Sequence, residues 1–180
     1  DDDGIPDGVE FGFDAVAVNT DGDMVIDALD GDSDGDGLLD SVEAGDADLT
    51  TDPVDSDGDG MPDFQDIDSD NDLALDAVDN CLLVPNAGQE DVDADGAGDA
   101  CDDDADGDGL SSAIEISLGL NPNNPDSDGD NIRDDVEVGN VASPRNTDGD
   151  AKIDALDDDS DDDGVLDIDE AGDTDLNTPP

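Results

Sequence analysis

Fifty-nine acidic side chains share this chain with three basic ones and no histidine, a formal charge of −56 over 180 residues. Self-repulsion on that scale opposes any compact state unless something neutralises it. Two states meet the constraint. One is disorder, which high net charge and few aromatics favour. The other is a fold organised around polyvalent cations. Composition does not separate them; the spacing of the carboxylates does.

The apolar residues do not supply the missing cohesion. Phe11, Phe13 and Phe64 are the only aromatics, and much of the 33% hydrophobic fraction is alanine. Burying a large aliphatic side chain contributes roughly 1.5–3 kcal/mol, while ordering each residue costs about 1–2 kcal/mol of backbone entropy. So thin a core calls for disulfides or metals. Phosphate-rich partners and anionic membrane surfaces find no basic surface to meet, so neither nucleic-acid nor membrane binding is expected. No apolar run approaches the ~20 residues of a membrane-spanning helix. With no initiator Met and no signal pattern, the chain is expected to be a piece of a longer one.

From Asp32 the chain reads Asp-Ser-Asp-Gly-Asp-Gly-Leu-Leu-Asp-Ser-Val-Glu, placing Asp32, Asp34, Asp36, Asp40 and Glu43 at positions 1, 3, 5, 9 and 12 with Gly37 at 6. That is the ligand order of a twelve-residue calcium loop. Alternate residues at 1, 3 and 5 curl around one ion, position 6 turns sharply, position 7 offers its carbonyl, and position 12 closes the shell. The pattern recurs at Asp55, Asp57, Asp59, Asp63 and Asp66; at Asp68, Asp70, Asp72, Asp76 and Asp79; and at Asp91, Asp93, Asp95, Asp99 and Asp102. It returns at Asp104, Asp106, Asp108 and Glu115, with Ser112 at position 9, and at Asp126, Asp128, Asp130, Asp134 and Glu137. Two loops begin with asparagine: Asn19, Asp21, Asp23, Asp27 and Asp30, and Asn146, Asp148, Asp150, Asp154 and Asp157. The last is Asp159, Asp161, Asp163, Asp167 and Glu170, and a truncated first loop keeps Asp1, Asp3, Asp7 and Glu10. Nine full loops in register are not the mark of a solvated acidic tail, which has no reason to hold such spacing.

Loops starting at 19 and 32, 55 and 68, 91 and 104, and 146 and 159 lie 13 residues apart, and successive pairs mostly recur every 36 residues, which marks a repeat architecture. The first loop of each pair ends in Asp; the second usually ends in Glu. A longer repeat overlies the short one: residues 1–53 match residues 128–180 at an offset of 127, with 33 of 53 positions identical. The whole of 1–180 is therefore expected to be one continuous array. Its fold class is expected to be irregular and mostly coil, an elongated calcium-organised array with short helical turns and no conventional hydrophobic core. Short helices are expected near 41–44 and 111–117. Apolar residues at positions 7, 8 and 11, such as Leu38, Leu39, Val42, Ile132 and Val136, are expected to form small clusters between loops. Met24, Leu73 and Ala151 stand at position 6, where positive φ is wanted and such residues resist it; these loops are expected to turn differently or bind more weakly.

Residues 79–102 run Asp-Asn-Cys-Leu, then Asn86-Ala-Gly-Gln89, then an aspartate loop ending Gly98-Asp-Ala-Cys-Asp102. This strongly resembles the thrombospondin type 3 repeat, with Leu82 where that family has proline, and the other loops resemble bacterial cysteine-free versions. The resemblance implies an extracellular chain wrapped around rows of Ca²⁺, about nine to ten ions here. It also implies a Cys81–Cys101 disulfide, which would close a loop of about 20 residues and contribute roughly 3 kcal/mol.

The expected function is an extracellular calcium-rigidified spacer, stalk or fibre segment of a microbial surface or matrix protein, able to self-associate or meet other surface proteins. The alternative is a calcium-dependent adhesion or docking module. A calcium sensor would want a Met-rich groove, and only Met24 and Met61 are present. An enzyme is not expected: there is no histidine for a catalytic set, and the carboxylates are committed to metal.

Overall fold

The computed structural model describes residues 3, 5–10, 17–45 and 52–171. Asp1, Phe11 and Phe13 lie outside the described residues, as do 46–51 and 173–178, which match each other in the long repeat. The chain divides into two units, Asp1–Gln89 and Glu90–Pro180. Among the described residues there are no strands, only short helices and turns joined by irregular chain.

Each helical turn begins at loop position 9, and the residue at position 12 decides its kind. Loops closed by Glu carry α-helical turns: α1 (Asp7–Glu10), α2 (Asp40–Glu43), α3 (Ser112–Leu118), α4 (Asp134–Val138) and α5 (Asp167–Ala171). Four of the loops closed by Asp carry a three-residue 3₁₀ turn instead: η1 (Asp27–Leu29), η2 (Asp63–Gln65), η3 (Asp76–Val78) and η4 (Asp154–Leu156). The cause is reach. Glu has one more methylene, so its carboxylate comes back to the loop while its backbone stays helical. Asp is too short, so the chain leaves the helix at position 12 and brings the backbone nearer. Asp30, Asp66, Asp79 and Asp157 all sit just outside their turns in extended conformation, with ψ from 106° to 148°. The expected helices near 41–44 and 111–117 correspond to α2 and α3. Gly119 ends α3 in the left-handed region (φ 88°), returning its N–H to Glu115 at 2.8 Å.

The apolar clusters are small, as expected. In the first unit Ile5, Ala44 and Phe64 pack together; in the second Leu110, Leu120, Val138 and Ala155 do, flanked by Ile114, Leu118, Ile153 and Leu156. Helical turns meet in pairs near them: α1 with η1, α2 with η2, and α4 with η4. The expected positions are only partly right. Position 7 supplies Ile5, Leu110 and Ile132, but Leu39 and Val42 remain exposed. Position 10 supplies Phe64, Ala28 and Ala155, the second residues of η2, η1 and η4, while the same position is exposed at Ala77 in η3 and at Ser41 and Ala113 in α2 and α3. Of the twelve largest fully buried side chains among the described residues, nine are carboxylates; only Phe64, Ile132 and Val138 are apolar.

Candidate metal sites

One hydrogen-bond scheme repeats in every full loop. The N–H at position 9 donates to the carbonyl just before position 1: Asp40 to Gly31, Asp76 to Ile67 and Asp134 to Pro125, each at 3.1 Å. One oxygen of the position-3 carboxylate accepts from the N–H at position 5, and one oxygen of position 5 accepts from the N–H at position 7. In loop 32–43 these are Asp36 N–H to Asp34 (3.0 Å) and Leu38 N–H to Asp36 (2.7 Å). In seven loops the position-1 carboxylate accepts from the N–H at position 6, as Asp126 does from Asn131 at 3.0 Å.

What these bonds leave over defines the sites. The second oxygens of Asp34, Asp36, Asp70, Asp106, Asp128 and Asp130 are buried with no hydrogen-bond partner. Both carboxylate oxygens of Glu10, Glu43, Glu115 and Glu137 are buried and equally without partners. Burying a carboxylate with no compensation is costly, so four such glutamates call for a cation. Oxygens of Asp32, Asp34 and Asp36 come within 4.8 Å of one another, as do those of Asp55, Asp57 and Asp59. Ca–O distances of 2.3–2.6 Å allow ligand oxygens up to about 5 Å apart. An all-oxygen donor set suits a hard divalent ion such as calcium rather than zinc or copper. Position 12 differs between loop kinds: Glu10, Glu43, Glu115 and Glu137 are buried, Glu170 is exposed, and Asp30, Asp66, Asp79, Asp102 and Asp157 are half-buried.

The electrostatics agree with this geometry. Burial, then neighbouring carboxylates, push Glu43 and Glu137 up to about 9 and Glu10 to about 8. Glu115 rises to about 7 for the same reasons, and burial lifts Asp34 and Asp128 to about 7. A cation among these oxygens would reverse such shifts by favouring the charged form. Asp57 shows the opposite case: hydrogen bonds from the Asp59 N–H and then the Asn71 side chain lower it.

Position 9 has a second role that the spacing does not reveal. Its carboxylate clasps position 2. Asp40 accepts from the Ser33 N–H and Oγ, both at 2.7 Å; Asp76 accepts from Ser69 at 2.8 and 2.6 Å. Asp27 with Thr20, Asp63 with Ser56, Asp134 with Ser127 and Asp154 with Thr147 repeat the double bond. Asp167 accepts from the Ser160 N–H at 3.0 Å. Where position 2 has no hydroxyl the clasp changes: Asp99 keeps only the Val92 N–H bond and takes Asn123 on its other oxygen. The signal was in the sequence as Ser or Thr at position 2 of seven loops, with Ala105 in the one loop whose position 9 is Ser112.

Position 4 was also missed. It takes φ between 60° and 89° in all nine full loops, on Gly in six and on Asn71, Ala94 and Asp162 in the others. At Gly107 the reason is spatial as well: a Cβ there would stand 2.6 Å from an oxygen of Asp93 in the preceding loop. At position 6, Leu73 does adopt the left-handed region (φ 83°), as glycine does in five other loops and Asn131 in one. Among the described positive-φ residues neither Met24 nor Ala151 appears, so their loops turn differently. Their first residue explains it. Asp126 has two oxygens and holds the N–H of both positions 4 and 6. Asn19 and Asn146 have one, which goes to Gly22 and Gly149 at 2.6 Å.

Cys81 and Cys101, the two cysteines of the chain, are both disulfide-bonded. Gln89 explains the motif that precedes the cysteine loop. Its side chain accepts from the Asn80 N–H (2.8 Å) and donates to Asp79 (2.8 Å) and to the Asn86 side chain (2.8 Å). The turn after Cys81 forms without proline, through Val84 N–H to the Cys81 carbonyl at 2.8 Å. Residues 54–89 and 90–113 match the family model of the thrombospondin type 3 repeat. No curated protein matches the chain.

Proposed function

We propose that all of 1–180 is a calcium-stiffened spacer built of thrombospondin type 3 repeats, the calcium-binding structural modules whose family model matches residues 54–89 and 90–113. Its setting is an extracellular microbial surface or matrix protein, as a stalk or fibre segment. The observation that carries this reading is the set of four buried glutamates whose carboxylate oxygens have no partner. Positions 1, 3, 5 and 12 would hold each ion, with the carbonyl of position 7. The position-9 carboxylates would hold the loops shut and keep lone pairs for metal. About nine to ten Ca²⁺ would be bound; nine bring the formal charge from −56 to −38.

Extracellular calcium at millimolar levels fills sites of roughly 10⁻⁴–10⁻³ M affinity, and filling favours the folded state by mass action. Thrombospondin type 3 repeats occur in extracellular proteins, and no helix among the described residues is long and apolar enough to cross a membrane. We read 1–53 and 128–180 as copies of one unit, which suits a long regular spacer that self-associates. Small-angle scattering with calcium and with EDTA tests the reading. Chelation is expected to expand the chain toward the ~45 Å radius of gyration of an unfolded polymer this long and to abolish protease resistance. Unchanged dimensions would defeat it.

A further inference from the structure

Two of the carboxylate groupings do not belong to one loop. Asp76, at position 9 of loop 68–79, places an oxygen within 4.8 Å of those of Asp36 and Glu43 in loop 32–43. Asp40, from loop 32–43, does the same for Asp3 and Glu10 of the truncated first loop. Asp76 and Asp40 are themselves buried, at 3% and 0% exposure, and Glu43 and Glu10 bury both oxygens without a partner. The second unit repeats the relation: the charge of Asp134 bears on Glu115, and that of Asp167 on Glu137. Glu10 and Glu43 thus each face a position-9 aspartate from a later loop.

We propose that the sites closed by a buried glutamate are inter-loop staples, each ion held by its own loop and by one aspartate of a later loop. Asp76 would complete the site of Asp36 and Glu43, and Asp40 that of Asp3 and Glu10. This rests on the reading that the loops bind divalent cations. The clasp does not preclude it, because a carboxylate oxygen accepting one hydrogen bond still has a lone pair to offer. The chemical consequence is a division of labour. Aspartate-closed loops take their ligands locally. Glutamate-closed loops fix tertiary contacts across some thirty residues of chain, a task a hydrophobic core performs elsewhere. An ion lost from loop 32–43 therefore also frees Asp76, and with it the seating of the next loop.

The chain has no Trp and no Tyr, so a single tryptophan at position 7 gives a site-specific reporter through sensitised terbium(III) emission. Leu38→Trp reads loop 32–43, and Ala74→Trp reads loop 68–79. In the full chain, Asp76→Asn is expected to raise the terbium midpoint of the Leu38→Trp site about tenfold, since affinity follows the number of charged ligands. Ser69→Ala, which cuts the clasp but keeps the Asp76 charge, is expected to move only the Ala74→Trp midpoint. Hydrogen exchange of the Gly37 amide gives the same comparison without any reporter. A Leu38→Trp midpoint unmoved by Asp76→Asn overturns the staple. So does a Ser69→Ala shift of equal size at Leu38→Trp, which would mean that the effect passes through loop collapse. A parent Leu38→Trp chain with no saturable emission defeats the cation reading itself, and the staple with it.

Discussion

Ser33→Ala removes one oxygen from the protein and should loosen a whole loop. Ser33 is 1% exposed, and its Oγ donates to Asp40 Oδ2 at 2.7 Å while its N–H holds Oδ1. Asp40 is fully buried, so no water replaces the lost donor. A hydrogen bond to a charged group is worth about 1.5–3 kcal/mol, and an orphaned buried acceptor costs on the same scale. Loop 32–43 should therefore open roughly 10–150-fold more often at equilibrium, at about 1.4 kcal/mol per factor of ten. Native-state hydrogen exchange in saturating calcium reads this directly at the Asp40 amide, which closes the loop on Gly31. The remaining backbone clasp should survive, so amides in the second unit, such as Asp134, should keep their parent rates. Exchange at Asp40 within about twofold of the parent would mean that the hydroxyl contributes nothing and that position 2 does not hold the loop.

Leu73→Gly should stabilise loop 68–79, because Leu73 sits at φ 83° with 87% of its surface exposed. The left-handed cost for an L-residue is roughly 1–2 kcal/mol and little burial is lost, so a weaker ion affinity in loop 68–79 would refute this. A chain freed of divalent cations should be more expanded at pH 9 than at pH 5. Glu43, Glu137 and Glu10 are raised to about 9, 9 and 8, so their stabilisation is complete below the ordinary 4.5 and is lost as pH climbs through the raised values. Scattering that shows equal dimensions at both pH values would contradict it; with calcium present the trend reverses, since protons compete for the ligands. Cys81→Ser should cost about 3 kcal/mol locally, raising protease sensitivity near 79–102; loss of protection throughout both units would show one cooperative domain instead.

The ligand spacing was legible because carboxylates at 1, 3, 5 and 12 announce themselves by charge, and so were the short helices at α2 and α3. The Asp or Glu choice at position 12 was visible, but its effect, a 3₁₀ exit at Asp30 against an α-turn at Glu43, follows from side-chain reach in three dimensions. The clasp was hidden because Ser33 and Ser69 look like filler between acids until the fold brings them back to position 9. Leu39 and Val42 were misjudged by applying loop position without the helical phase of α2, which turns Asp40, Glu43 and Ala44 inward and leaves Leu39 and Val42 outside. The approach of Asp76 to Glu43 had no local signal at all, since nothing in either loop names the other.

The most direct measurement is anomalous diffraction from crystals grown in calcium. Density peaks are expected among the oxygens of Asp32, Asp34, Asp36 and Glu43, and among their counterparts in the other loops, about 2.3–2.6 Å from each ligand. A high-resolution map with those side chains turned to water and no peak between them would contradict the claim that bound cations, rather than hydrocarbon, hold this chain together.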